Sequence, residues 1–227
     1  TTNSISVSPT TTTSYTVVGS NNGCTNTKVS NVTVRTTPTV SVNSSTICSG
    51  NSAALTASGA STYSWSSGAT TSSISVSPSA TTNYTVTGTA VNGCKNTKIA
   101  TVNVNTTPTV AVNNATVCSG NSVALIASGA TTYSWNSGAT TSSISVSPTV
   151  TTNYTVTGTT NGCSSAKVAT VNVNALPNIT VASTTICAGS TSTLVASGAT
   201  TYTWNTGATG ANLAVSPTVN TTYTVTG

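Results

Sequence analysis

The residues of this sequence with the most chemistry to offer are six cysteines, and they fall into two series. Cys48, Cys118 and Cys187 stand 70 and 69 residues apart, and Cys24, Cys94 and Cys163 repeat the same 70 and 69. Each member of the second series ends an Asn-Gly-Cys triplet. A bound transition metal would want cysteines in close CxxC pairs, usually with histidine, and the sequence has neither. Regular cysteines in an array of small domains point instead to disulfides formed in an oxidising compartment. All six are disulfide candidates.

The rest of the composition excludes most other chemistry. There is no Asp, no Glu and no His, and general acid–base catalysis draws chiefly on those side chains. The four lysines form no Ser–Lys motif. The expectation is a chain that is not an enzyme, with no catalytic residue, no metal site and no cofactor. Calcium binding is excluded on the same ground, because it needs carboxylate oxygens. The net charge of +5 comes from Lys28, Arg35, Lys95, Lys98 and Lys167. Only Lys95 and Lys98 are near neighbours, so no basic face of the kind that holds nucleic acid is formed. Charged residues make up 2% of the chain, against about 25% in ordinary proteins. The surface must therefore be hydroxyl and amide. No apolar run approaches the ~18 residues of a membrane-spanning helix. No signal peptide is visible, and because the chain starts mid-pattern any such signal is expected upstream.

A long repeat organises the elements that carry the cysteines. Pro38, Pro108 and Pro177 keep the 70 and 69 spacing, as do Trp65, Trp135 and Trp204, with the extra residue falling near Ala90–Val91. Such a period exceeds the ~20–50 residues of a solenoid turn and suits a small sandwich domain, a size that often needs staples. Within 107–175 the pattern is all-β. "TVAVNNATVC" turns Val110 and Val112 inward, "SVALIAS" is a more buried run, and "TTYSWNS" carries an aromatic pair. "SSISVSP" alternates Ile144 and Val146, "NYTVTG" alternates Tyr154 and Val156, and "KVATVNVN" presents Val168, Val171 and Val173 with one irregularity. Period-two runs broken by SG, NG and SP turns mark strands, and branched Thr and Val side chains favour them.

Six or seven short strands per ~70 residues predict an immunoglobulin-like β-sandwich, and the repeat predicts a tandem array of them forming an extended rod. The expected divisions are a partial repeat over 1–36, complete repeats over 37–106 and 107–175, and a partial repeat over 176–227. Trp135 takes the place of the buried strand-C tryptophan, and Tyr154 that of the tyrosine corner. Leu125 and Val156 stand where an antibody domain has its intersheet disulfide. The expected core is Leu55, Trp65 and Val86, then Leu125, Trp135 and Val156, then Leu194, Trp204 and Val225. The first repeat is expected to lack its opening strands and the last its closing strand, which reads as a window on a longer array.

Two cysteine pairings are open. One joins Cys48 to Cys94 and Cys118 to Cys163 inside single repeats. The other joins Cys48 to Cys163 across a junction. The loop after the first strand and the Asn-Gly-Cys loop lie at opposite ends of a sandwich. A strand of about nine residues separates those ends by ~30 Å, whereas bridged Cα atoms lie within ~7 Å. Topology therefore favours Cys48–Cys163. The linkers "RTTPT" (35–39), "NTTPT" (105–109) and "NALPN" (174–178) are short, and each holds one proline, which makes them spacers more than hinges.

The motifs "NGC", "YSW" followed by "SGAT", "ISVSP" and "TTNYTVTG" resemble the tandem Ig-like or PKD-like repeats of very large Bacteroidetes surface proteins. These include gliding-motility adhesins of the SprB type and other cargo of the type IX secretion system. The resemblance covers the whole chain. It implies secretion, display at the cell surface outside the outer membrane, and a filament or stalk role. The acidic "WDFGDG" of PKD domains is replaced by "WSSGAT", "WNSGAT" and "WNTGAT", so no calcium-linked feature carries over. The expected function is a non-enzymatic stalk segment that projects another domain, with an adhesive repeat that itself grips carbohydrate or a solid surface as the alternative. The partners implied are neighbouring repeats, other copies in a filament and surface glycans, and not nucleic acid. An ice-binding array fits poorly, because a flat Thr lattice needs a far shorter period.

Overall fold

The computed structural model describes residues 3–227. Every regular element among them is a strand. Packing divides the chain into two units, one of residues up to 108 together with 159–164, the other of 109–158 with 165–227.

The first unit opens with an antiparallel hairpin, β1 (Thr13–Asn21) and β2 (Cys24–Val32). Its two-residue turn is Asn22-Gly23, with φ of 48° and 78°. This is the primed turn that matches strand twist and that Asn-Gly adopts most readily. Seven strands follow: β3 (Ser41–Val42), β4 (Ser45–Cys48), β5 (Ala53–Ser58), β6 (Thr62–Trp65), β7 (Ser73–Val76), β8 (Thr82–Thr89) and β9 (Lys95–Asn105). They form two sheets, β3-β5-β7 and β4-β9-β8-β6. Every pairing is antiparallel except that of β4 with β9, which is parallel. The arrangement is an immunoglobulin-like sandwich.

The sheets close over one core. Period-two alternation sends Ala53, Leu55 and Ala57 of β5 inward to meet Trp65, Ile74, Val86, Ala100 and Val102. Leu55, Val86 and Val102 are fully buried. In the hairpin β1–β2, Val17 stands where β8 has Val86, yet it is 64% exposed, because among the described residues no second sheet covers that face.

The plan repeats with β10 (Ala111–Val112), β11 (Ala115–Cys118), β12 (Val123–Ser128), β13 (Thr132–Trp135), β14 (Ser143–Val146), β15 (Thr152–Thr160) and β16 (Cys163–Asn174), in sheets β10-β12-β14 and β11-β16-β15-β13, all in the second unit except the hairpin tip 159–164. The core is Val110, Leu125, Ala127, Trp135, Val156, Ala169 and Val171. Then come β17 (Thr180–Val181), β18 (Ser192–Ser197), β19 (Thr203–Trp204), β20 (Asn212–Val215) and β21 (Val225–Thr226). Leu194 and Trp204 are buried there, and Val225 is half-buried, with no counterpart of β9 or β16 behind it among the described residues.

Two details differ from the sequence reading. The inward residues of β16 are Ala169 and Val171, while Val168 is 49% exposed. The tyrosine hydroxyl that ties back to the main chain is not that of Tyr154. It is Tyr133 on β13, whose Oη accepts from Ala130 N–H at 3.0 Å and donates to Ala130 C=O at 2.9 Å. Tyr63 and Tyr202 do the same at Ala60 and Ala199. Tyr133→Phe leaves both groups of Ala130 unpaired and should lower stability by about 1–2 kcal/mol, measured by urea unfolding.

The opening strand of each complete repeat is split between sheets, and an asparagine makes the split. Asn43 follows β3, and its side-chain amide donates to Ala54 C=O at 3.0 Å and accepts from Thr56 N–H at 2.7 Å. Asn113 does the same with Ala124 and Ile126. The amide stands in for a backbone partner while the chain crosses to the other sheet. The last repeat has Ala182 at this place, and no strand lies between 182 and 191.

Just before β10 the chain passes close to a glycine. Gly129 has φ of +91°, and a Cβ there would run into the carbonyl oxygen of Thr109. Gly129→Ala should therefore cost at least about 1–3 kcal/mol, read as a lowered unfolding midpoint.

The first half of β9 is a sheet edge, since β4 pairs only with Val102–Asn105. Lys98 lies opposite the buried Val86, as Lys28 lies opposite Val17. Directly paired residues share a face, so each edge carries an exposed lysine on the face of the paired valine, and a charge at an edge discourages pairing with a second edge.

Candidate functional site

The cysteines are set by two local structures. Cys48 closes β4, whose parallel register places it beside Asn105 at the end of β9. Ser49 N–H donates to Asn105 C=O at 2.8 Å, and Asn51 N–H to Cys48 C=O at 3.0 Å, which turns the chain sharply after the cysteine. Cys163 opens β16 immediately after the Asn161-Gly162 turn, where φ is 50° and 79°. The turn presents its cysteine at the tip of a rigid hairpin.

Cys48 and Cys163 are joined by a disulfide with Cα atoms 5.6 Å apart and a sequence separation of 115. Both belong to the first unit. Asn105 holds the two sides together. Its Nδ2 donates to Asn161 C=O at 2.8 Å, and its own carbonyl oxygen lies 3.8 Å from Cys163 Sγ. Cys48 Sγ lies 4.0 Å from Gly162 O. Cys163 is 1% exposed, so reductants have poor access to its sulfur.

Cys94 occupies the same kind of frame without a partner sulfur. Arg35 stands one repeat before Asn105, and its Nη1 donates to Asn92 C=O at 2.7 Å, as Asn105 does to Asn161. Asn92 Nδ2 donates to Thr36 C=O and Asn96 Nδ2 to Pro38 C=O, both at 3.0 Å. Cys94 Sγ lies 3.9 Å from Arg35 O. Cys24, Cys94, Cys118 and Cys187 are free thiols.

Among the described residues no three of His, Cys, Asp or Glu cluster to hold a metal. No helix among the described residues is long and apolar enough to cross a membrane. The tryptophans at 65, 135 and 204 are buried, their indole N–H groups donating to Thr71, Thr141 and Gly210 carbonyls at 2.9, 2.9 and 3.0 Å. None of the seven tyrosines is exposed. An open groove of about 230 Å³ lies in the last repeat between Val181, Ile186, Leu194, Val215 and Tyr223. In the second repeat the corresponding place is filled by Ala100 and Val102 of β9. The sequence pattern located the cysteines and the tryptophans. It did not locate Asn105 and Arg35, which read only as the first residues of the linkers; their recurrence at the repeat spacing just before each linker proline was the available signal.

No family model matches the sequence, and no curated protein matches it. Solved structures of similar chain trace include a three-Ig segment of titin, at 12% identity over 75% of this chain and 80% of that one, with a TM-score of 0.40. Others are a calcium-stabilised adhesin with which an Antarctic bacterium binds ice (17%, 92% and 74%, TM-score 0.36) and the eight N-terminal Ig domains of Down Syndrome Cell Adhesion Molecule (17%, 86% and 32%, TM-score 0.33).

Proposed function

We propose that this chain is a non-catalytic spacer segment of a secreted or surface-displayed repeat protein, a stalk that carries another domain. The observation that carries the reading is the Cys48–Cys163 disulfide, which ties the end of one repeat's split strand to the hairpin tip of the following repeat. A bond placed there adds nothing to a ligand site and restrains how successive repeats move. The disulfide also supports an oxidising, extracellular setting. The sequence motifs, which resemble Bacteroidetes surface repeats of the SprB and type IX secretion kind, support the outer face of a bacterial cell.

The adhesive alternative has less behind it. Carbohydrate is commonly gripped on an exposed aromatic face, and no tryptophan or tyrosine is exposed among the described residues. The test is a glycan array run beside small-angle scattering of the oxidised and reduced protein. A spacer should show no glycan signal and a wider spread of conformations after reduction. Saturable binding to a defined glycan, abolished by one surface substitution, would establish adhesion instead.

A further inference from the structure

We infer that Cys118 and Cys94 are the two waiting halves of the same junction bond, so that the split-strand cysteine of each repeat pairs with the Asn-Gly-Cys cysteine of the next repeat and never with that of its own. The inference rests on frames built around the free thiols and not on the thiols alone. Cys118 lies in parallel register beside Asn174, as Cys48 lies beside Asn105. Ser119 N–H donates to Asn174 C=O at 2.9 Å and Asn121 N–H to Cys118 C=O at 3.0 Å, matching the two bonds that follow Cys48. Asn174 stands 69 residues after Asn105, the residue whose amide grips the incoming Asn161 carbonyl. The receiving half is therefore complete at Cys118. The offering half is complete at Cys94, where Arg35 already grips the Asn92 carbonyl and Cys94 Sγ already lies against the Arg35 carbonyl. Around Cys48–Cys163 these same halves are bonded. Cys24 and Cys187 each belong to one of the same two series, but among the described residues β2 pairs only with β1 and Cys187 lies in no strand, so the two waiting halves are those at Cys94 and Cys118.

Bond formation proceeds by thiol–disulfide exchange with a low-molecular-weight disulfide such as oxidised glutathione. One cysteine thiolate attacks the glutathione disulfide and releases one glutathione thiolate. The second cysteine thiolate then attacks the mixed disulfide and releases the other. Two protons leave the cysteines and two glutathione thiols form, so electrons and atoms balance.

The test duplicates residues 107–175 in tandem within the full chain and oxidises the protein with glutathione disulfide. Non-reducing peptide mapping should find Cys48 bonded to Cys163 as before, and Cys118 bonded to the duplicate's Asn-Gly-Cys cysteine. Alkylation of Cys118 should fall at least tenfold relative to the unduplicated chain. A Cys118 that stays freely alkylated in a folded protein, or one bonded to Cys163 of its own repeat, overturns the inference. The unduplicated chain gives an independent reading. Iodoacetamide should label Cys94 and Cys118 and spare Cys48 and Cys163. A Cys48–Cys94 or Cys118–Cys163 bond there would sink the pairing rule whatever the duplicated chain does.

Discussion

Replacing Trp135 by alanine should remove about 3–5 kcal/mol of stability, the range for truncating a buried aromatic. The side chain is 3% exposed and packs within the cluster of Leu125, Val156, Ala169 and Val171. Its loss opens a cavity that a two-sheet core cannot close, because the sheets are held at a fixed spacing by their ladders. It also frees the carbonyl of Thr141, which now accepts the indole N–H at 2.9 Å. Whole small domains hold only about 5–15 kcal/mol, so a repeat of this size would stand near its unfolding threshold. Hydrogen exchange read repeat by repeat is the measurement. Protection in β12 and β15 should collapse while β5 and β8 keep theirs. A loss below 1 kcal/mol would show that the indole is not the centre of the core.

Removing the Cys48–Cys163 bond should have the second large effect. The bond closes a loop of 115 residues, for which chain-entropy reasoning gives roughly 4–5 kcal/mol against unfolding, with the mechanism dependent on the model of the unfolded chain. Cys48→Ser is the better variant, because Cys48 is the more accessible partner and Cys163 is 1% exposed. The denaturant midpoint should fall. Before any global transition, amides at residues 159–164 should exchange faster, since the covalent tie of the hairpin tip would be gone while the Asn105–Asn161 hydrogen bond remains. An unchanged midpoint with unchanged exchange at the tip would mean that the bond restrains nothing.

Much of the fold was legible because the same pattern is written several times. Period two in "SVALIAS" gave Leu125 its inward place, and the recurrence of Trp65, Trp135 and Trp204 marked a core position. What escaped was decided by single polar groups. "TVAVNNATVC" reads as one strand, yet the Asn113 amide imitates a backbone partner and sends the chain across to the other sheet. "KVATVNVN" gives no hint which valine yields its inward place to an alanine, because the register of β16 depends on its partners. Tyr133 sits in period with the core, and nothing in the letters shows that its hydroxyl reaches a turn three residues back. For the candidate site, the argument that opposite sandwich ends keep Cys48 from Cys94 needed only strand length. The gripping asparagine needed the coordinates, since an amide at a strand end looks like any other.

The disulfide also alters how the molecule would answer to a pull on its two ends. Tension entering at the amino end reaches Cys48 after passing through β3 and β4, crosses to Cys163, and leaves along β16. The chain between the two sulfurs lies off that covalent route, so it cannot be drawn out while the bond is intact. An extended chain spans at most ~3.3–3.6 Å per residue, and across the separation of 115 residues that is roughly 380–410 Å of length held in reserve. Oxidation thus fixes how far the segment can stretch, and a reducing environment would make that reserve available to the pull, one core at a time, because two separate cores lie between the sulfurs.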